Sequence, residues 1–146
     1  MRVTRNVAAL ILALGLVVTG LTVRSVSTPV VEAQAPRVFE MRTYYAAEGK
    51  MEALKARFRD HTIRLFTKHG IVSIGYWIPQ AGQTMTPNTL VYVLAYPSRD
   101  AATKSWAAFG ADPEWVKAKA ESEKDGRLIS KVESVFLDAA PFSAIK

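Results

Sequence analysis

Phe39-Glu40-Met41-Arg42-Thr43-Tyr44-Tyr45 is the stretch from which the rest of the chain can be placed. Phe39, Met41 and Tyr45 alternate with Glu40, Arg42 and Tyr44, the period of two expected of a β-strand with unlike faces. Glu40 and Arg42, two residues apart, share a face. The apolar set, Phe39 and Met41, is expected to lie under the helices that cover the sheet, leaving the charged set on its other side.

Outward from this strand, Glu48-Gly49 marks a turn, and the spacing predicts a helix from Lys50 to about Lys68. Met51, Leu54, Phe58, Thr62 and Leu65 form one apolar stripe along it. His69-Gly70 ends the helix, with glycine where a left-handed backbone is favoured. A second strand is predicted over Ile71 to Ile78, a polar loop over 79–88, and a third strand over Leu90 to Tyr96. Ser98 caps a helix from Arg99 to about Phe109 that turns Ala102, Trp106 and Phe109 inward. Asp112-Pro113-Glu114-Trp115 restarts it, because aspartate accepts free amides and proline at the first helical position loses nothing. A last strand runs from about Lys131 to Leu137. The order βαββαβ is the split βαβ arrangement of the ferredoxin-like α+β class. It predicts a four-stranded antiparallel sheet with two helices on one face and the first and third strands central.

The third strand, Leu90-Val91-Tyr92-Val93-Leu94-Ala95-Tyr96, is apolar on both faces, the pattern of a strand covered on both sides. One chain has helices for only one of them. A second copy packing sheet against sheet, as an isologous homodimer, is therefore expected. Glu40, Arg42 and Tyr44 would then look into the space between the two sheets. Buried charges need partners, and Glu133 on the adjacent last strand could supply one.

Ahead of the first strand, Arg2 and Arg5 precede an almost unbroken apolar run of 17 residues, Val7 to Val23. That is the layout of a secretory signal peptide. Residues 1–33 are read as this peptide, cut after Ala33 because Pro36 disfavours a cut after Ala35, and residues 34–146 as the exported domain, periplasmic or secreted. The alternative is an uncleaved anchor near the lower length limit for a spanning helix, which would be the domain's sole membrane contact and would leave it outside the cytoplasm. The chain contains no cysteine, which excludes disulfides, a thiolate nucleophile and a cysteine metal site. Its net charge is +6. Setting aside residues 1–33, where Arg2, Arg5 and Arg24 stand against Glu32, leaves +4, dispersed and without basic runs interleaved with aromatics. No nucleic-acid partner is expected.

The segment Phe39 to Tyr44, then Gly75-Tyr76-Trp77, Asn88 ahead of the apolar strand ending at Tyr96, Asp112-Pro113-Glu114-Trp115, and the terminal Pro141-Phe142-Ser143 together resemble the NIPSNAP family. The resemblance covers nearly the whole domain in the right order. It implies a ferredoxin-like unit that pairs into a dimeric α+β barrel, an architecture also found in antibiotic-type monooxygenases, haem-degrading enzymes and chlorite dismutase-like proteins. This chain departs from the pattern in a longer loop, Gln83 to Pro87, and in Ser98 to Ala102, which replaces the family's arginine-containing helix start. Animal members are associated with mitochondria and organelle turnover. A secreted single-domain form gives no reason to carry those roles over.

The candidate ligand-binding residues are Glu40, Arg42, Tyr44, Tyr76 and Trp77, and the expected ligand is small and apolar or aromatic. Glu40 and Arg42 also read as a structural ion network, and Tyr76 and Trp77 point to opposite faces, so only one can line a given cavity. Tyr92, Trp106 and Trp115 complete the aromatic set, Trp106 reading as core at helical spacing. His61 is the one weak catalytic candidate, for proton transfer or as a haem ligand. His69 lies eight residues on, a rise of about 12 Å, too far to share a metal, and its place at a helix end is explained by the dipole. No phosphate loop, nucleophile elbow or metal motif is present, so no metal or cofactor is expected, haem being the exception the resemblance allows. The sequence thus supports a homodimeric small-molecule-binding or interaction module, with a barrel-type monooxygenase or haem oxidoreductase as the alternative.

Overall fold

The computed structural model describes residues 37–146. Strands β1 (Val38–Ala46), β2 (Val72–Trp77), β3 (Thr89–Tyr96) and β4 (Ile129–Asp138) form one antiparallel sheet in the order β2-β3-β1-β4. The ferredoxin-like α+β class and the central places of the first and third strands are as expected. The signal-peptide and anchor readings fall on residues outside the described ones. Among the described residues no helix is long and apolar enough to cross a membrane.

The register decides which face is which. Glu40, Arg42 and Tyr44 stand opposite Leu94, Tyr92 and Leu90 of β3, and opposite Phe136, Ser134 and Val132 of β4. Residues directly opposite share a face. Leu90, Tyr92 and Leu94 are buried in one core with Leu54, Phe58, Leu65, Phe66, Ala102 and Phe109 of the helices. Glu40, Arg42 and Tyr44 therefore lie beneath the helices, and the expectation that they face away from them is wrong. Phe39, Met41, Thr43 and Tyr45 take the open face, beside Ala95, Val93 and Val91 on one flank and Leu137, Val135 and Glu133 on the other. Glu133 is thus on the wrong side to partner Arg42. It accepts a hydrogen bond from Tyr45 (3.0 Å) and pairs with Lys131.

The first helical run is α1 (Met51–Arg57), a π turn over Phe58–Thr62, and α2 (Ile63–Lys68). Leu54, Phe58, Thr62 and Leu65 are buried as the stripe predicts, and Arg57 and Phe66 are buried beside them. Gly70, at φ 71°, takes the left-handed position that ends the run. Two more helices, α3 (Arg99–Ala111) and α4 (Pro113–Ser122), follow β3. Ser98 Oγ accepts from the amide of Ala101 (3.1 Å) and Asp112 Oδ1 from that of Glu114 (2.8 Å), the two caps read from the sequence.

Asp112 does more than cap. Its Oδ2 accepts from Lys68 Nζ and lies against His69 Nε2, both at 2.7 Å, so one carboxylate clasps the end of α2 to the start of α4. Lys68 and then His69 hold its pKa below the ordinary aspartate value. A depressed carboxylate pKa adds stability above its unfolded pKa, lost as pH falls through the lower folded one. Asp112→Asn keeps the cap acceptor but not the charge. It should melt a few degrees below the parent at neutral pH, with the gap closing in acid, as followed by circular dichroism.

Candidate functional site

Glu40 is the polar centre of the protein's interior. It is 2 % exposed, and four donors from three other elements and its own strand converge on it. Oε1 accepts from Arg42 Nη1 and Ser134 Oγ, each at 2.6 Å. Oε2 accepts from Trp106 Nε1 at 2.8 Å and Tyr96 Oη at 2.9 Å. Burial alone would raise its pKa, but Ser134, Trp106, Arg42 and Tyr96 together outweigh that and hold it below the ordinary value. A carboxylate offers about four lone-pair sites. Those of Glu40 are all engaged, so it is placed as a fixed anion and not as a proton acceptor.

Arg42 completes the pair. Its guanidinium lies 4.3 Å from the centre of the Trp106 ring and 5.6 Å from that of Tyr44, a cation held over aromatic faces. Burial works against its charge, while Tyr44, Tyr92 and Glu40 favour it, and the net effect is to raise its pKa. Burial, reinforced by the same carboxylate, pushes the Tyr96 hydroxyl far up. Both residues of the ion pair thus keep their charge through ordinary pH.

Beside this network, between the sheet and the helices, is a cavity of about 280 Å³, whose wall includes Tyr44 and Trp106 but neither Glu40 nor Arg42. Its wall includes Tyr44, Phe58, Phe66, Trp106, Phe109 and Trp115, packed largely edge to face, with Phe109 and Trp115 centroids 4.4 Å apart. The π turn of the first helical run brings Phe58 and Thr62 to it. Arg57, at 3 % exposure, is also in the wall. Its Nη1 donates to Glu123 Oε1 (2.8 Å) and Ser122 Oγ (3.4 Å), and its guanidinium lies 5.3 Å from the Trp115 ring centre. Sequence reasoning missed Arg57. The available signal was its position three residues after Leu54, on the apolar stripe.

Of the sequence candidates, the structure gathers Glu40, Arg42, Tyr44 and Tyr76 on the helix side of the sheet. Tyr76 stacks on Tyr92 at 5.6 Å, and its hydroxyl bonds Ser73 Oγ at 2.6 Å. Trp77 is separate, 52 % exposed on the open face. Its indole folds back over Gly75, where a Cβ would stand 2.6 Å from Cη2, so glycine is the residue that fits there. His61 is also apart, in a cleft between α1 and α4 lined by Ala53, Ala56, Ala118 and Glu121. It does not reach the aromatic cavity. Of the side chains that ligate haem iron, His, Cys, Met and Tyr, the cavity wall offers only Tyr44. Among the described residues no cluster of three or more His, Cys, Asp or Glu is placed to hold a metal ion.

A four-stranded antiparallel sheet with helices on one face defines a ferredoxin-like α+β domain. The NIPSNAP family profile matches residues 39–144, and the chain belongs to that family. No curated protein matches it. Among solved structures, a NIPSNAP family protein of unknown function from Agrobacterium tumefaciens strain C58 is 26 % identical with a TM-score of 0.65, over 77 % of this chain and 96 % of that one. An uncharacterized NIPSNAP domain protein from Burkholderia xenovorans is 29 % identical with a TM-score of 0.60, over 73 % of this chain and 97 % of that one.

Proposed function

We propose that the chain is an exported, homodimeric NIPSNAP domain that binds a small apolar or aromatic molecule. The observation that carries this reading is the cavity, concave, with six aromatic side chains in its wall beside an equally substantial set of charged and hydroxyl groups, the combination of apolar surface and orienting polar groups that a ligand site needs. Its size, near the lower end of the common range of about 300–1,000 Å³, suits a compact ligand. Pairing is supported by the open face of the sheet. Val72, Trp77, Val135 and Leu137 are exposed there, around Met41 and Val93, and contiguous exposed apolar residues of this kind mark interaction sites. Export is supported by the apolar run of residues 7–23. A proton-transfer enzyme has less support, because Glu40 is saturated with donors and His61 lies in another cleft.

A native mass spectrum of the protein expressed at full length tests all three parts. The expected result is twice the mass of a chain cut after Ala33, carrying a small molecule that gentle activation strips off. A bare, uncut monomer would overturn the reading.

A further inference from the structure

The charges around the cavity are unequal, and they specify its ligand further. Arg57, Lys119, Arg127 and Lys131 contribute to the wall, against the single acid Glu123. Two of the cations are committed. Lys131 pairs with Glu133 and lies over Tyr45, both on the open face of the sheet, so its ammonium is turned away. Arg57 Nη1 takes Glu123. Among the described residues, no hydrogen bond or ion pair engages the head groups of Lys119 and Arg127. The second observation concerns the buried Arg57 in the same wall. Only its Nη1 is engaged, by Ser122 and Glu123, while its Nε has no acceptor among the described residues, as is also true of Arg42 Nε and the Tyr92 hydroxyl.

A second hollow shows the contrast. It is larger, about 420 Å³, and lies between Tyr76, Ile78 and Leu90 and the helical residues Phe58 and Ile63. Each cation there is already paired, Lys55 with Glu52, Arg59 with Asp60 and Arg64 with Glu114. Nothing in it asks for an anion.

We infer that the aromatic cavity takes a compact aromatic monocarboxylate, its ring among Phe58, Phe66, Trp106, Phe109 and Trp115 and its carboxylate toward Arg57, Lys119 and Arg127. This rests on the reading of the cavity as a ligand site and adds the chemical class. The apolar body is held by burial, and the acid group, which could not be buried alone, meets the Arg57 side chain and the two uncommitted cations.

Calorimetric titration of the full chain with benzoate and 1-naphthoate, beside their neutral counterparts benzyl alcohol and 1-naphthalenemethanol, tests this. The expected result is at least a ten-fold preference for one acid over its alcohol, weakening as salt is raised. In the double variant Lys119→Gln/Arg127→Gln, both changes being on exposed side chains, the preference should fall several-fold. Arg57→Lys, which keeps a cation for Glu123, should reduce it further. Equal binding of acid and alcohol would overturn the ligand class and leave the cavity reading standing. An acid preference untouched by all three substitutions would place the anion elsewhere and overturn the inference. Binding of none of the four at millimolar concentration would overturn the cavity reading itself.

Discussion

Glu40→Ala should melt about 10 °C below the parent protein. The substitution removes one half of a buried ion pair, a change that costs about 3–5 kcal/mol. The lower end applies because the Arg42 side chain keeps 18 % of its surface exposed, and in a domain of this size about 3 kcal/mol corresponds to roughly that shift in Tm. Glu40→Gln should fare little better despite its shape. Ser134, Arg42, Trp106 and Tyr96 all donate, whereas an amide offers one acceptor oxygen and brings two further donors. The double variant Glu40→Met/Arg42→Met should regain part of the loss, since no charge is left buried alone. The pH dependence has a definite sign. The folded pKa of Glu40 is depressed, so the parent's advantage is present above the unfolded pKa and fades as pH falls through the lower folded one. Thermal denaturation of the three variants between neutral pH and about pH 3 checks this. Parent-like melting of Glu40→Ala at neutral pH would show that the network contributes nothing.

The second large effect is on assembly. Val93→Glu places a charge at the middle of β3 on the open face, where it meets solvent in one protomer and the partner sheet in a dimer. Each buried, unpaired carboxylate costs about 3 kcal/mol or more. Two-fold symmetry brings two of them together, so the association constant should fall by about four powers of ten. Light scattering should report a dimer for the parent and a monomer for the variant, with unchanged far-ultraviolet circular dichroism. A parent that is monomeric at micromolar concentration, or a variant that remains dimeric, would remove sheet-to-sheet pairing from the account.

These expectations also show what could be read from residues alone. The strands, their order, both helix caps and the glycine stop at Gly70 were legible because their causes are local, a period of two, an acceptor before a helix, a left-handed turn. The face of the first strand was not. A carboxylate and a guanidinium ordinarily seek water, and it takes three particular donors to reverse that. Tyr96, Trp106 and Ser134 come 56, 66 and 94 residues after Glu40, so no window around the strand contains them. The candidate site suffered in the same way. Tyr44, Trp106 and Trp115 could be named as aromatics but not seen to converge, and Arg57 was hidden by the habit of assigning charges to the surface. His61, a plausible catalyst in isolation, was placed elsewhere by the packing of α1 on α4.

The π turn at Phe58–Thr62 has a consequence for the first helical run as a whole. Leu54, Phe58, Thr62 and Phe66 recur every four residues, and each such step in a regular α-helix overshoots a full turn by about 40°. Three steps would carry the last side chain about 120° around the axis from the first, and Leu54 and Phe66 could not both rest on the same sheet. One wider turn absorbs much of that angular excess. The four-residue beat in the sequence is therefore a phase correction, and deleting a single residue there would send one half of the helix's buried side chains out of alignment with the other.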